Sequence, residues 1–226
     1  MNNGEKNETD PRQIADAFND YFINISKNIQ EKIAPTRKHF SDYLKQPSAN
    51  SFFFRPIKVE EITKIITNLD PKKATGPFSI PNKILMILKD EISMILTEIF
   101  NLSLTSGKFI DKLKMTRVIP LYKNKGSEQD KSNYRSIALL SNIDKIFEKL
   151  IHQRFVSFLE KNDAIFERQF GFCEKHSTTH NLITITETIR KHLDGGEFSC
   201  AVFLDLQKAF DSVDHENGAL WVQGKG

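Results

Sequence analysis

Residues 198–215 read Phe-Ser-Cys-Ala-Val-Phe-Leu-Asp-Leu-Gln-Lys-Ala-Phe-Asp-Ser-Val-Asp-His. Val202, Phe203 and Leu204 form a short apolar run that leads directly into Asp205, the pattern of a buried strand ending on a carboxylate. Such burial is favourable only if the carboxylate emerges at the strand tip and meets a cation or a hydrogen-bond donor. A metal site is the natural candidate; satisfaction by backbone amides is an equal alternative. Asp211 and Asp214 sit where a helix cap and a first-turn acid belong, which leaves Asp205 as the catalytic candidate.

Upstream, Gly195-Gly196 turns the chain into that strand. Thr178 or Thr179 is expected to precede a helix that ends near Leu193, and the hydroxyls there read as its caps. His176 and His180 stand four apart, but Ser177 occupies the position where a helical zinc-protease motif carries its general-base glutamate. No third ligand is nominated, so a zinc site is disfavoured. A long amphipathic helix, capped by Ser141 or Asn142, runs through Ile146, Phe147, Leu150, Ile151, Phe155 and Leu159.

Before it, Met115 to Tyr122 and Tyr134 to Leu140 are expected to pair as a hairpin around a polar turn centred on Gly126. Lys114, Arg117, Lys123, Lys125, Lys131 and Arg135 concentrate there, with Tyr122 and Tyr134 as stacking faces. This surface suits phosphate chains, although a solvated turn would show the same charges. Lys72 to Pro81 is a loop without P-loop spacing, and reads as a turn. Asn82 to Leu104 is helical, split near Lys89 to Glu91, with Gly107 as its stop. Ile62, Ile65, Ile66 and Leu69 make the stripe of a helix closed by Asp70-Pro71. Ala34 to Ser51 reads as a linker, and Pro11 opens a helix whose stripe of Ile14, Phe18, Tyr21, Phe22 and Ile25 needs a partner surface.

The 226 residues carry 39% hydrophobic side chains, enough for a core, and a net charge of only +3. Attraction for phosphates must therefore come from local clustering. Cys173 and Cys200 lack metal-ligand spacing and read as reduced thiols. Neither a signal peptide nor a membrane span is expected.

Taken in order, Leu113 to Gly126, Asn133 to Ile151, Gln169 to Leu182 and Ala201 to His215 resemble the successive motifs of non-LTR retrotransposon reverse transcriptases, particularly of jockey-like elements. Residues 14–22 (Ile-Ala-Asp-Ala-Phe-Asn-Asp-Tyr-Phe), Lys73 to Pro77 and Ile80-Pro81 resemble segments that precede that polymerase core. The likeness spans Pro11 to Glu216. It implies a right-hand polymerase that copies an RNA template from a DNA primer with dNTPs and two Mg²⁺ ions. By motif matching, Asp205 is the first metal-binding aspartate and the backbone carbonyl of Leu206 a further ligand. Phe210 is the steric gate that excludes a ribose 2′-hydroxyl. Arg135, with Lys123 or Lys125, holds the triphosphate, while Gln169, Phe170 and Gly171 lie near the templating base.

The resemblance sets the expected fold class as α+β: a helical N-terminal extension, the fingers and the first palm strand, truncated before the second catalytic motif and the thumb. Expected boundaries are a disordered 1–10, a helix and linker over 11–50, a helical extension over 51–110, fingers over 111–195, the start of the palm over 196–216 and a divergent tail over 217–226. Ser136, Cys173 and Ile110 depart from the family's usual residues. No adjacent Asp-Asp pair occurs in the sequence, although the family completes its ion site with one. The polypeptide is therefore expected to be inactive alone; the resemblance further implies an intracellular location, in nucleus or cytoplasm. Alternatives are a non-catalytic RNA- or DNA-binding module and a structural interaction protein working through the Phe18 to Ile25 face.

Overall fold

Pro11 suits the first turn of a helix because its fixed φ is already helical and its missing N–H would be unpaired there. Asp10 caps that turn, its carboxylate accepting from the Arg12 N–H at 3.2 Å, and α1 (Pro11–Gln30) follows. The computed structural model describes residues 9–31, 50–73, 75–76 and 80–205. Most of the expected linker, Leu206, Phe210 and the tail over 217–226 lie outside the described residues. The α1 stripe has its partner: Phe18 and Ile25 are buried.

α2 (Val59–Thr67) begins with Glu60 and Glu61, whose negative charge complements the helix N-terminus. The Glu61 carboxylate accepts from the Lys58 N–H at 2.9 Å, which pairs one donor that the first turn leaves open. Ile62, Ile65 and Ile66 are buried, as their spacing predicts. The expected split in the next helical stretch falls at Leu88, between α3 (Asn82–Ile87) and α4 (Lys89–Ser106). Gly107 ends α4 at φ 63°, a left-handed conformation that other residues adopt at a cost. Ser103 then donates to the Lys108 carbonyl at 2.7 Å and ties the exit to the last turn.

The hairpin forms where expected. β1 (Arg117–Tyr122) pairs antiparallel with β2 (Tyr134–Leu139), in a register running from Arg117 opposite Leu139 to Tyr122 opposite Tyr134. Of the two cap candidates for α5 (Asn142–Lys161), Ser141 is the one used: its hydroxyl accepts from the Asp144 N–H at 3.1 Å. Asn142 is instead buried and donates to the Ile80 carbonyl at 2.9 Å. α6 (Thr178–Asp194) is capped one position earlier than expected, by Ser177, which accepts from the His180 N–H at 3.2 Å.

Two compact units divide within α5, after Phe155. The first holds a core built from Ile62, Ile65 and Ile66 of α2, Leu85 of α3, Leu96 and Phe100 of α4, and Ile146, Phe147 and Leu150 of α5. Phe100 and Phe147 stack at its centre with ring centroids 4.4 Å apart. The segment before α2 is fastened by a reciprocal pair: the Ile57 N–H donates to Asn101 Oδ1 at 2.6 Å, and Asn101 Nδ2 donates to the Ile57 carbonyl at 3.0 Å. Ile57 is thereby held in the core without exposing its backbone.

In the second unit, the described residues 156–205 include no buried side chain. Here the expectation drawn from residues 198–205 needs correction. The segment forms no strand, and Phe198, Val202, Phe203 and Leu204 are nearly fully exposed. A strand exists only by pairing, and among the described residues the hairpin is the one sheet, with this segment no part of it. The mixture of helices with a small antiparallel sheet agrees with the α+β class. No helix among the described residues is long and apolar enough to cross a membrane.

Candidate nucleic-acid interface

The turn between β1 and β2 is more ordered than a solvated loop. Its backbone closes where Lys123 N–H donates to the Asn133 carbonyl at 2.8 Å, and a 3₁₀ turn over Lys131–Asn133 feeds β2. Asp130 caps that turn, accepting from the Ser132 N–H at 2.8 Å and the Ser132 hydroxyl at 2.7 Å. The Asn133 amide donates to the Ser127 carbonyl at 2.9 Å. Gly126 sits against that amide at φ 83°; a Cβ there would meet Asn133 Nδ2 at 2.5 Å, so both conformation and space demand glycine.

Both tyrosines brace the loop from one face of the hairpin. The Tyr122 hydroxyl donates to the Gly126 carbonyl, and the Tyr134 hydroxyl donates to the Glu128 carbonyl at 2.9 Å. Their rings lie 5.3 Å apart, and Phe18 of α1 meets Tyr134 edge-on at 4.8 Å. Desolvation, with help from Glu128 and Tyr122, pushes the Tyr134 phenol above its usual range. Tyr134 therefore works as a structural contact for α1 rather than as the open stacking face anticipated.

Side chains alternate across a strand, so the other hairpin face carries Arg117, Ile119 and Leu121 from β1, with Arg135, Ile137 and Leu139 from β2. Lys123 is engaged internally, its ammonium donating to the Ser132 carbonyl at 2.7 Å. The side chains of Arg135 and Lys125 are exposed and have no hydrogen-bond or ion-pair partner among the described residues. Gly76, from the loop read as a plain turn, approaches the end of this hairpin; a Cβ there would lie 2.3 Å from the Leu140 carbonyl oxygen.

In the second unit, Gln169 donates to the Gly171 carbonyl at 3.4 Å, and the Phe170 ring meets His176 edge-on at 5.6 Å. Phe172 takes φ 61° and is fully exposed. Asp205 is also exposed, and among the described residues no three His, Cys, Asp or Glu side chains come together. One carboxylate does not hold two divalent ions, each of which takes about six oxygens. The described donors thus do not fit the expected two-ion site.

Three arrangements escaped sequence reading. Asp144 is buried with Oδ1 unpartnered, and desolvation, reinforced by Glu148, pushes its carboxyl up to about 6. Arg154 reaches from α5 to the segment preceding α2, and Asn133 organises the hairpin loop. Only the last had a signal, an asparagine beside a glycine-centred turn. An apolar groove of about 540 Å³ between α4 and the start of α5 includes Leu96, Ile99 and Ile143 but none of the anticipated site residues.

A braced basic hairpin followed by two capped helices matches the order of motifs in the sequence, and comparison with known proteins places it. Residues 122–222 match the family described as Reverse transcriptase (RNA-dependent DNA polymerase). That match and the relatives that follow support a fragment of a jockey-like non-LTR reverse transcriptase. It is similar to the probable RNA-directed DNA polymerase from transposon BS of Drosophila melanogaster, at 34% identity over 77% of this chain and 19% of that protein. The RNA-directed DNA polymerase from mobile element jockey of the same species is 29% identical over 84% of this chain and 22% of its own length. The jockey polymerase of Drosophila funebris is 32% identical over 71% of this chain and 18% of its own length. The chain thus spans about a fifth of the curated relatives it matches.

Proposed function

We infer that this chain is the phosphate-gripping part of an RNA-directed DNA polymerase, binding template, primer and the incoming dNTP. In this reading residues 111–195 are the fingers, and residues 51–110 are a helical extension that supports them. The observation that carries it is the exposed, unpartnered Arg135 and Lys125 on a hairpin whose loop is cross-braced by Asn133 and both tyrosines. A guanidinium held on a fixed backbone can meet a phosphate through two parallel hydrogen bonds, while a mobile ammonium adds charge. Gln169, Phe170 and Gly171 belong to the template side, and Asp205 to the palm as a ligand for Mg²⁺.

Polymerisation needs further carboxylates around Asp205, so the 226 residues by themselves bind but do not extend. The test is to incubate the purified chain with an RNA template, an annealed DNA primer, dNTPs and Mg²⁺, and in parallel to measure binding of the labelled duplex against salt. Binding that weakens with rising salt, with a smaller slope in Arg135→Ala and Lys125→Ala and no primer extension, is the expected result. Absence of binding at low salt overturns the nucleic-acid reading. Robust extension abolished by Asp205→Ala overturns the claim of dependence on further residues.

A further inference from the structure

Phe18 is buried, yet it stands outside the apolar core formed by α2 to α5. Its ring stacks on Phe22 at 5.7 Å and meets Tyr134 edge-on at 4.8 Å, and Tyr134 lies 5.3 Å from Tyr122. These contacts fall on the tyrosine face of the hairpin. Arg135 follows Tyr134 directly and projects from the opposite face. A two-stranded hairpin is marginal by itself, and several side chains of this one, among them Ile119, Leu121 and Ile137, remain about half exposed. Its orientation therefore depends on the few contacts it makes elsewhere, and Phe18 supplies an aromatic one.

We propose that Phe18 is a positioning residue for Arg135: the α1 ring, lodged against Tyr134, fixes the β2 backbone so that the guanidinium meets a phosphate without first ordering the strand. The inference rests on the phosphate-binding reading above and adds α1 to it. Tyr134 is the hinge of the argument because it touches Phe18 through its ring and holds the Glu128 carbonyl, in the loop that carries Lys125, through its hydroxyl. Loss of the Phe18 ring releases both supports of the basic face at one point. An arginine on a loosened strand retains its charge but loses the preorganisation that makes bidentate contact favourable.

The test uses the full 226-residue chain and two probes, a labelled RNA–DNA primer–template and dTTP, which separate backbone phosphates from a nucleotide triphosphate. Phe18→Ala is expected to weaken binding of at least one probe roughly tenfold, close to the loss from Arg135→Ala. The double variant is expected to be no weaker than Arg135→Ala alone, and Phe18→Leu, which keeps apolar bulk, to recover most of the loss. Amide exchange in Tyr134–Leu139 should accelerate in Phe18→Ala while the thermal transition of the core stays in place. Failure of the unsubstituted chain to bind either probe overturns the phosphate-binding reading itself. Normal binding by Phe18→Ala, or losses that simply add in the double variant, overturns the positioning role alone.

Discussion

Arg154 Nη2 donates to Glu61 Oε2 at 2.7 Å and to the Pro56 carbonyl at 3.1 Å, so one side chain of α5 holds both α2 and the segment that leads into it. Nη1 of the same guanidinium donates to the Arg55 carbonyl. The arginine side chain is 8% exposed, and Nε has no hydrogen-bond partner among the described residues. Geometry this enclosed makes the pair matter more than a surface ion pair does.

Arg154→Ala should destabilise the first unit by about 2–4 kcal/mol, because it takes the guanidinium away from Glu61 and from two backbone carbonyls. Arg154→Lys should recover little, since an ammonium cannot serve three acceptors spread across a planar fork. Denaturant melts monitored by far-UV circular dichroism decide it, and equal midpoints for Arg154→Ala and the unsubstituted chain would count against the clamp.

Burial alone would raise the Glu61 carboxyl, but the Lys58 backbone amide and the Arg154 guanidinium together hold it below its usual range. A carboxyl depressed by folding contributes stability above its unfolded pKa and loses it as pH falls through the folded one. Melting temperature should therefore drop on acidification below the ordinary carboxylate range, and less steeply in Glu61→Gln.

Asp144 behaves in the opposite sense. Its carboxyl, raised to about 6 by burial and by Glu148, favours the folded state when neutral, so that contribution is lost as pH rises from about 4 through 6. Asp144→Asn should stabilise the chain by roughly 1–3 kcal/mol at pH 7.5 and by little at pH 4.5. Thermal melts at those two pH values check the sign, and a variant destabilised at pH 7.5 would show that the ionised carboxylate is favourable in place.

Gly126→Ala must accept φ 83° and displace the Asn133 amide from its bond to Ser127. The expected cost is about 1–2 kcal/mol, confined to the hairpin loop. Hydrogen exchange should show faster loss of protection at Lys123 and Ser132 with the core unchanged.

Phe198, Phe203 and Leu204 present large apolar surface to solvent. Phe198→Ser with Phe203→Lys should lower light scattering at high protein concentration and leave the melting of the first unit unaltered. Increased scattering would mean that these rings are covered in solution.

Local chemistry made much of the fold legible. Pro11, Gly107 and the spacing of Ile62, Ile65 and Ile66 act within a few residues of themselves, so their effects were readable along the chain. The pairing of the two hairpin strands was equally visible, because the turn and its flanking β-branched residues sit side by side, whereas the register itself came only with the structure. What escaped reading depends on distant partners. The Arg154 clamp joins residues more than ninety positions apart, and the burial of Asp144 has no counterpart in the residues beside it in sequence. Residues 201–205 show the limit most clearly, since β-propensity specifies a strand only when a neighbour is at hand to pair with it.

Leu150 is the last of the buried core residues among those described, and no described residue from 156 to 205 is buried. During synthesis, those core residues are therefore joined to the chain well before Asp205. The exposed apolar segment that ends on Asp205 is thus the last of the described residues to be made, after those that pack against one another in the first unit.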